Sequence, residues 1–136
     1  MLESDSRSNA QDDPWADLVV SILSVNQYSL ERTYDSIQGL RRERIMDPTN
    51  LARWAPPEIE ARLRAAGCDR GPFMTKLFAE RLSALGGLVR SKGIDECAKV
   101  IGSRDTIAIE RLLLPVKGIG PVVLQRFYCM REIPAS

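Results

Sequence analysis

The chain has 136 residues, with 19 Lys and Arg against 18 Asp and Glu, no His, and a formal net charge of +1. Hydrophobic residues at 44% and charged residues at 27% describe one globular domain, and exclude both a wholly disordered chain and a membrane-embedded one, since charge interrupts the apolar runs well short of a spanning helix. Without His there are no histidine general bases, no Ser-His or Cys-His pairs and none of the commonest zinc ligand sets, which leaves carboxylate, amine or backbone chemistry.

In chain order, residues 1 to 12 are nearly devoid of apolar side chains and predict a disordered lead-in, so that residues 13 to 136 form the domain. Asp12 or Asp13 ahead of Pro14 opens a first helix, and Trp15, Leu18, Val19, Ile22 and Leu23 make it apolar enough to be largely buried before it ends near Asn26. Ser29 caps a second helix through Leu30, Tyr34, Ile37 and Leu40, with Arg41, Arg42 and Arg44 in its last turns, where cations suit the dipole. Asp47-Pro48 punctuates, a short helix carries Leu51 and Trp54, and Pro56-Pro57 opens another that Gly67 closes in a left-handed cap. Gly71-Pro72 starts the next, in which Phe73, Leu77, Phe78, Leu82 and Leu85 keep helical spacing up to Gly86-Gly87, expected to end or bend it. Short helices around Ile94 to Ile101 and from the capping Asp105 through Leu113 follow, then a last helix from Pro121 to about Met130. Nothing alternates as a strand would and nothing repeats, so the chain reads as all-α, with roughly seven to nine helices.

Cys68, Cys97 and Cys129 stand far apart with no pair at metal-ligand or redox spacing, which reads as three free, buried thiols in an intracellular protein with no metal on cysteine. Residues 1 to 17 carry a local balance of −4, leaving +5 for the remainder. That mild surplus fits a phosphate-binding face and equally a mixed solvated surface.

The most informative stretch is Leu112-Leu113-Leu114-Pro115-Val116-Lys117-Gly118-Ile119-Gly120-Pro121-Val122-Val123-Leu124. It reads as helix, tight hairpin, helix: two glycines one residue apart remove β-carbons that would block a close approach, and Ile119 anchors the bend in the core. Backbone amides there lie at the N-terminus of the helix begun by Pro121, where the dipole favours an anion such as a nucleic-acid phosphate, with Lys117 as an adjacent mobile cation. The competing reading is plain punctuation, with Gly118 a C-cap, Gly120 a turn residue and Pro121 an ordinary helix start.

This segment resembles the helix-hairpin-helix superfamily of base-excision DNA glycosylases, to which endonuclease III and the adenine glycosylases belong. The resemblance extends over most of the chain. Residues Pro14 to Gln27 look like the family's first barrel helix and its Leu-Ser/Thr-x-Gln/Asn turn, and Ile59 to Gly67 followed by Phe73, Lys76, Ala79 and Leu82 resemble its helix, glycine, then alanine-lysine-x-leucine region. It implies a six-helix-barrel domain that binds double-stranded DNA by its backbone with the target base flipped out. The DNA contacts it implies are Lys117, Gly118, Ile119, Gly120 and Val122 at the hairpin and Asn26, Gln27 and Tyr28 in the turn, Asn26 falling on the amide that inserts toward DNA and Tyr28 able to wedge or stack. It also allows a monovalent cation at the hairpin.

Departures from the family bear on catalysis. The Schiff-base lysine of lyase-competent members stands two residues after the second hairpin glycine, which here is Val122. The family's essential aspartate lies a helix and a loop beyond the hairpin, past the end of this sequence, and the iron–sulfur cysteines lie later still, so no iron–sulfur cluster is expected. Glu132 is the sole acid after the hairpin and reads as a solvated charge. Most aromatic residues, including Trp15, Trp54, Phe73, Phe78, Phe127 and Tyr128, have core spacing and read as packing. Arg126 could lie along a DNA backbone track or be a plain surface residue. Three functions stay open: a glycosylase, monofunctional if active, seen here without its catalytic Asp; a DNA-binding module without chemistry; and a structural subunit docking protein or RNA. Another protein chain completing a second lobe is a further expected partner, and a membrane is not.

Overall fold

The computed structural model describes residues 13–23 and 37–133. The proposed lead-in and the positions Asn26, Gln27, Tyr28 and Ser29 lie outside the described residues. The described residues form eight helices and no strand: α1 (Pro14–Leu23), α2 (Ile37–Arg42), α3 (Pro48–Arg53), α4 (Pro56–Ala65), α5 (Gly71–Lys92), α6 (Ile94–Ile101), α7 (Thr106–Leu113) and α8 (Pro121–Arg131). None of these helices is long and apolar enough to cross a membrane.

α1 is the buried centre, as its composition predicts. Trp15, Ala16, Leu18, Val19, Val20, Ile22 and Leu23 are all buried, and even Ser21 is enclosed, its hydroxyl donating to the Asp17 carbonyl at 2.7 Å. Asp13 Oδ1 accepts from the Ala16 amide at 3.2 Å and so caps the helix that Pro14 starts. Around α1 pack α5, α6 and, most extensively, α8, whose Arg131 pairs with Asp17 at 3.5 Å.

Local signals place most boundaries. Asp47 caps α3 through Thr49, and Asp105 caps α7 by accepting from the amides of Ile107 and Ala108 at 3.1 and 3.2 Å. Gly67, at φ +92°, closes α4 with amide bonds from Gly67 to Arg64 and from Cys68 to Leu63, the Schellman arrangement. The same closure ends α2 and α8 on non-glycine residues, Arg44 at φ 62° and Glu132 at φ 56°, with Ile45 and Ile133 carried into the core behind them.

Gly86-Gly87 does not end the fifth helix, which runs unbroken for 22 residues to Lys92. Its glycine serves packing instead: a β-carbon on Gly86 would stand 2.1 Å from the Leu51 carbonyl oxygen, so the bare backbone lets the end of α3 lie against α5. That contact offsets the roughly 1 kcal/mol that glycine costs in a helix interior.

Two side-chain placements also differ from the spacing argument. Phe73 is 75% exposed, because at 3.6 residues per turn it falls on the face of α5 opposite the buried Thr75, Phe78, Leu82 and Leu85. Cys129 is exposed, whereas Cys68 and Cys97 are buried, and burial pushes the Cys97 thiol pKa up, with Glu96 adding to the rise. Trp54 is half-buried beneath the Arg62 guanidinium, 4.0 Å from its ring centre, and Trp15, Phe78, Phe127 and Tyr128 are buried as expected.

Candidate nucleic-acid interface

Residues 114–120 join α7 to α8 in a tight bend. The Val116 amide donates to the Leu113 carbonyl at 2.9 Å and the Ile119 amide to the Val116 carbonyl at 3.1 Å, which folds the chain back within a few residues. Val116 and Ile119 are the buried anchors, at 8% and 4% exposure, while Lys117 between them is exposed. Gly118 takes φ +91°, a region that other residues occupy only under strain, so this position requires glycine. Gly120 is extended at φ −115° and ψ −172° and is the N-cap of α8 without any side chain to fill that role.

The amides are consequently free at the bend. Among the described residues those of Gly118, Gly120 and Val122 meet no protein acceptor, and the first helical bond of α8 is from Leu124 to the Gly120 carbonyl at 3.1 Å. Nothing lies within 4 Å of where a Gly120 β-carbon would stand, so the approach to the helix start is open. Val122, in the first turn, is 57% exposed and presents only an aliphatic surface.

The two glycines therefore differ in what they admit. The space on Gly118 is already taken by Arg81 of α5, whose Cγ, Cδ and Nε lie 2.4, 2.8 and 3.0 Å from the position a β-carbon would occupy. Sequence reasoning passed over Arg81 because its contact joins two distant stretches of chain, and no spacing rule connects them. Gly120 alone keeps an open face.

Beyond the bend, α7 and α8 flank a groove of about 310 Å³ lined by Glu110, Leu114, Pro121, Leu124, Gln125 and Tyr128. Tyr128 spans it, its hydroxyl donating to Glu110 Oε2 at 3.1 Å with the Thr106 carbonyl a second acceptor at 3.4 Å. Burial, then the Glu110 hydrogen bond and charge, push the Tyr128 pKa up to about 12. Leu114 at 44% exposure adds an apolar edge.

The other candidates are placed away from the bend or otherwise engaged. Glu132 stands at the opposite end of α8, about 16 Å along an 11-residue helix. Arg41 pairs with Asp13 at 3.6 Å, and Arg42 donates to the Ala65 carbonyl at 3.2 Å, so both serve the fold. Arg126 follows Val122 by one turn and is half-buried, its Nε enclosed without an acceptor. Among the described residues no three His, Cys, Asp or Glu side chains group so as to hold a metal ion.

Comparison of the chain with models of known protein families, with curated proteins and with solved structures finds no match. What the structure establishes is an all-helical protein with an exposed, glycine-dependent bend between α7 and α8.

Proposed function

We propose that this chain is a duplex-DNA-binding protein of the helix-hairpin-helix glycosylase type, holding the DNA backbone at the bend between α7 and α8. The observation that carries the reading is the open N-terminus of α8. Its N-cap is a glycine with empty space beyond it, its amides are unpaired, and the hydrophobic residue between the two glycines is buried while the preceding lysine is exposed. Such a terminus concentrates amide donors and the positive end of a helix dipole on one anion. A repeating phosphate backbone is the ligand that a mildly basic protein surface with exposed amide donors suits.

Base removal is the expected chemistry of that family type, and it needs a carboxylate beside the developing sugar cation. Val122 cannot form a Schiff base and Glu132 is at the far end of α8, so the reading rests on the grip on DNA and assigns no catalytic carboxylate. A monovalent cation at the same bend would be held by the carbonyls of Lys117, Gly118 and Ile119, which among the described residues accept no amide hydrogen bond.

Fluorescence anisotropy with a short labelled DNA duplex tests the reading. The wild-type chain binds weakly and with steep salt dependence, and Gly120→Asp, which puts a carboxylate where the phosphate sits, abolishes binding with helical content intact. Equal affinity in the variant overturns the assignment. Release of a base from duplexes carrying deaminated, alkylated or mismatched bases would separate an active glycosylase from a binding module.

A further inference from the structure

We infer that Arg81 of α5 is a second, pre-oriented cation of the same DNA-phosphate site, held in place by the missing β-carbon of Gly118. The inference rests on the reading of the bend as a phosphate site and adds a residue from a different part of the chain. Its basis is a contact that local turn geometry does not need: the Arg81 stem lies in the space a Gly118 side chain would fill, with Nε 3.0 Å from that point. On its other side the Arg81 guanidinium carbon is 6.0 Å from the centre of the Phe78 ring, and Phe78 is buried. The stem thus lies against the Gly118 backbone, with the guanidinium over the Phe78 ring.

The head is not used by the fold. Arg41, Arg42, Arg62, Arg64 and Arg131 all have a carboxylate within 4.0 Å, and Arg70, which also faces Phe78, donates to the Leu23 carbonyl. Arg81 has neither a carboxylate nor a carbonyl partner among the described residues. Its nitrogens are also absent from the enclosed unpaired atoms, so water reaches them. An arginine with an anchored stem and an open fork loses little further side-chain freedom on binding, and its planar donors match two oxygens of one phosphate. Lys117, on the bend itself, offers a mobile point charge; Arg81 offers a planar fork whose Nε stands beside Gly118.

The test uses the full chain and the same labelled duplex, with affinity measured from low to physiological salt. Arg81→Met keeps the aliphatic stem against Gly118 and Phe78 and removes the charge. It should weaken binding about tenfold and lower the slope of log K against log salt by about 0.9, the loss of one phosphate contact. Arg81→Lys should keep the wild-type slope. Should Arg81→Met melt early, Arg81→Gln replaces it, and the slope, which a packing role does not move, decides. A Gly120→Asp-sensitive binder whose slope ignores the loss of the Arg81 charge overturns the role of Arg81 alone. No duplex affinity in the wild type, or affinity that Gly120→Asp leaves untouched, overturns the hairpin reading and the role of Arg81 with it.

Discussion

At the seam between α3 and α5, the absent β-carbon of Gly86 is replaced by main chain: the Leu51 carbonyl oxygen and carbon would lie 2.1 and 2.4 Å from it. At the bend between α7 and α8, the absent β-carbon of Gly118 is replaced by the Arg81 side chain, and that of Gly120 by nothing at all. The first place is closed on both sides by elements that cannot retreat, and its glycine is a matter of fold. The second becomes progressively more open over three residues, and its last glycine has no structural duty that another residue could not perform. A glycine without a structural duty, at a helix start with unpaired amides, is where an external ligand has room.

The largest effect should come from closing the seam. Gly86→Ala forces α3 and α5 apart along a contact made of backbone, and we expect a loss of about 3 kcal/mol or more, with a fall in Tm on the order of 10 °C by circular dichroism. A loss under about 1 kcal/mol would mean that the end of α3 can slide away, and the contrast with the bend would vanish.

At Gly118 the expected cost is smaller, because the neighbour is a side chain that can be displaced, not main chain. Gly118→Ala should lower stability by about 1 to 2 kcal/mol, from the φ of +91° and from displacing Arg81. The two contributions can be separated in a double-mutant cycle with Arg81→Ala: the steric part disappears in that background and the backbone part remains. Full additivity would show that Arg81 is not held by the glycine.

Much of this fold is legible in the sequence. The Asp105 cap, the Gly67 closure and the starts at Pro14, Pro56 and Pro121 follow from local hydrogen-bonding chemistry that a short window of residues contains. The run past Gly86 is not legible there, since glycine reads as a helix breaker unless one knows that a backbone carbonyl arrives at that point from α3. The same limit hides Arg81: a bend of the form Gly-Ile-Gly can be recognised from its own residues, but its neighbour from α5 is set by tertiary packing. Phe73 fails in the opposite sense: it keeps a four-residue interval to Leu77, yet the buried stripe of α5 runs through Thr75, Phe78, Leu82 and Leu85, on the other side of the helix.

Across the groove behind the bend, Tyr128 ties α8 to α7, and its contribution should depend on pH. Folding raises its pKa from the ordinary 10 to about 12, so the unfolded chain gives up this proton first as pH rises. The stabilisation is complete below pH 10 and is lost as pH climbs through the folded value near 12. Tyr128→Phe should cost about 1 kcal/mol at neutral pH, read by urea unfolding, and the gap between variant and wild type should narrow above pH 10. A gap that widens with alkali would show that the hydroxyl is not donating to Glu110.

The smallest expected change in stability is the most instructive for function. Gly120 has extended dihedrals that any residue adopts, stands at the N-cap of α8, and has no atom within 4 Å of the added β-carbon. Asp is a preferred N-cap residue, so Gly120→Asp should alter stability by only a few tenths of a kcal/mol, and in the stabilising direction, by accepting from the free amides of the first turn. Those are the amides assigned to DNA. The substitution therefore fills the donors from within, adds a negative charge where a phosphate is expected, and leaves the rest of the bend as it is. A chain that melts no earlier than wild type yet has lost its duplex affinity separates the duty of Gly120 from that of Gly86 and Gly118. A chain that melts several degrees lower would place Gly120 with the other two, as a residue of the fold.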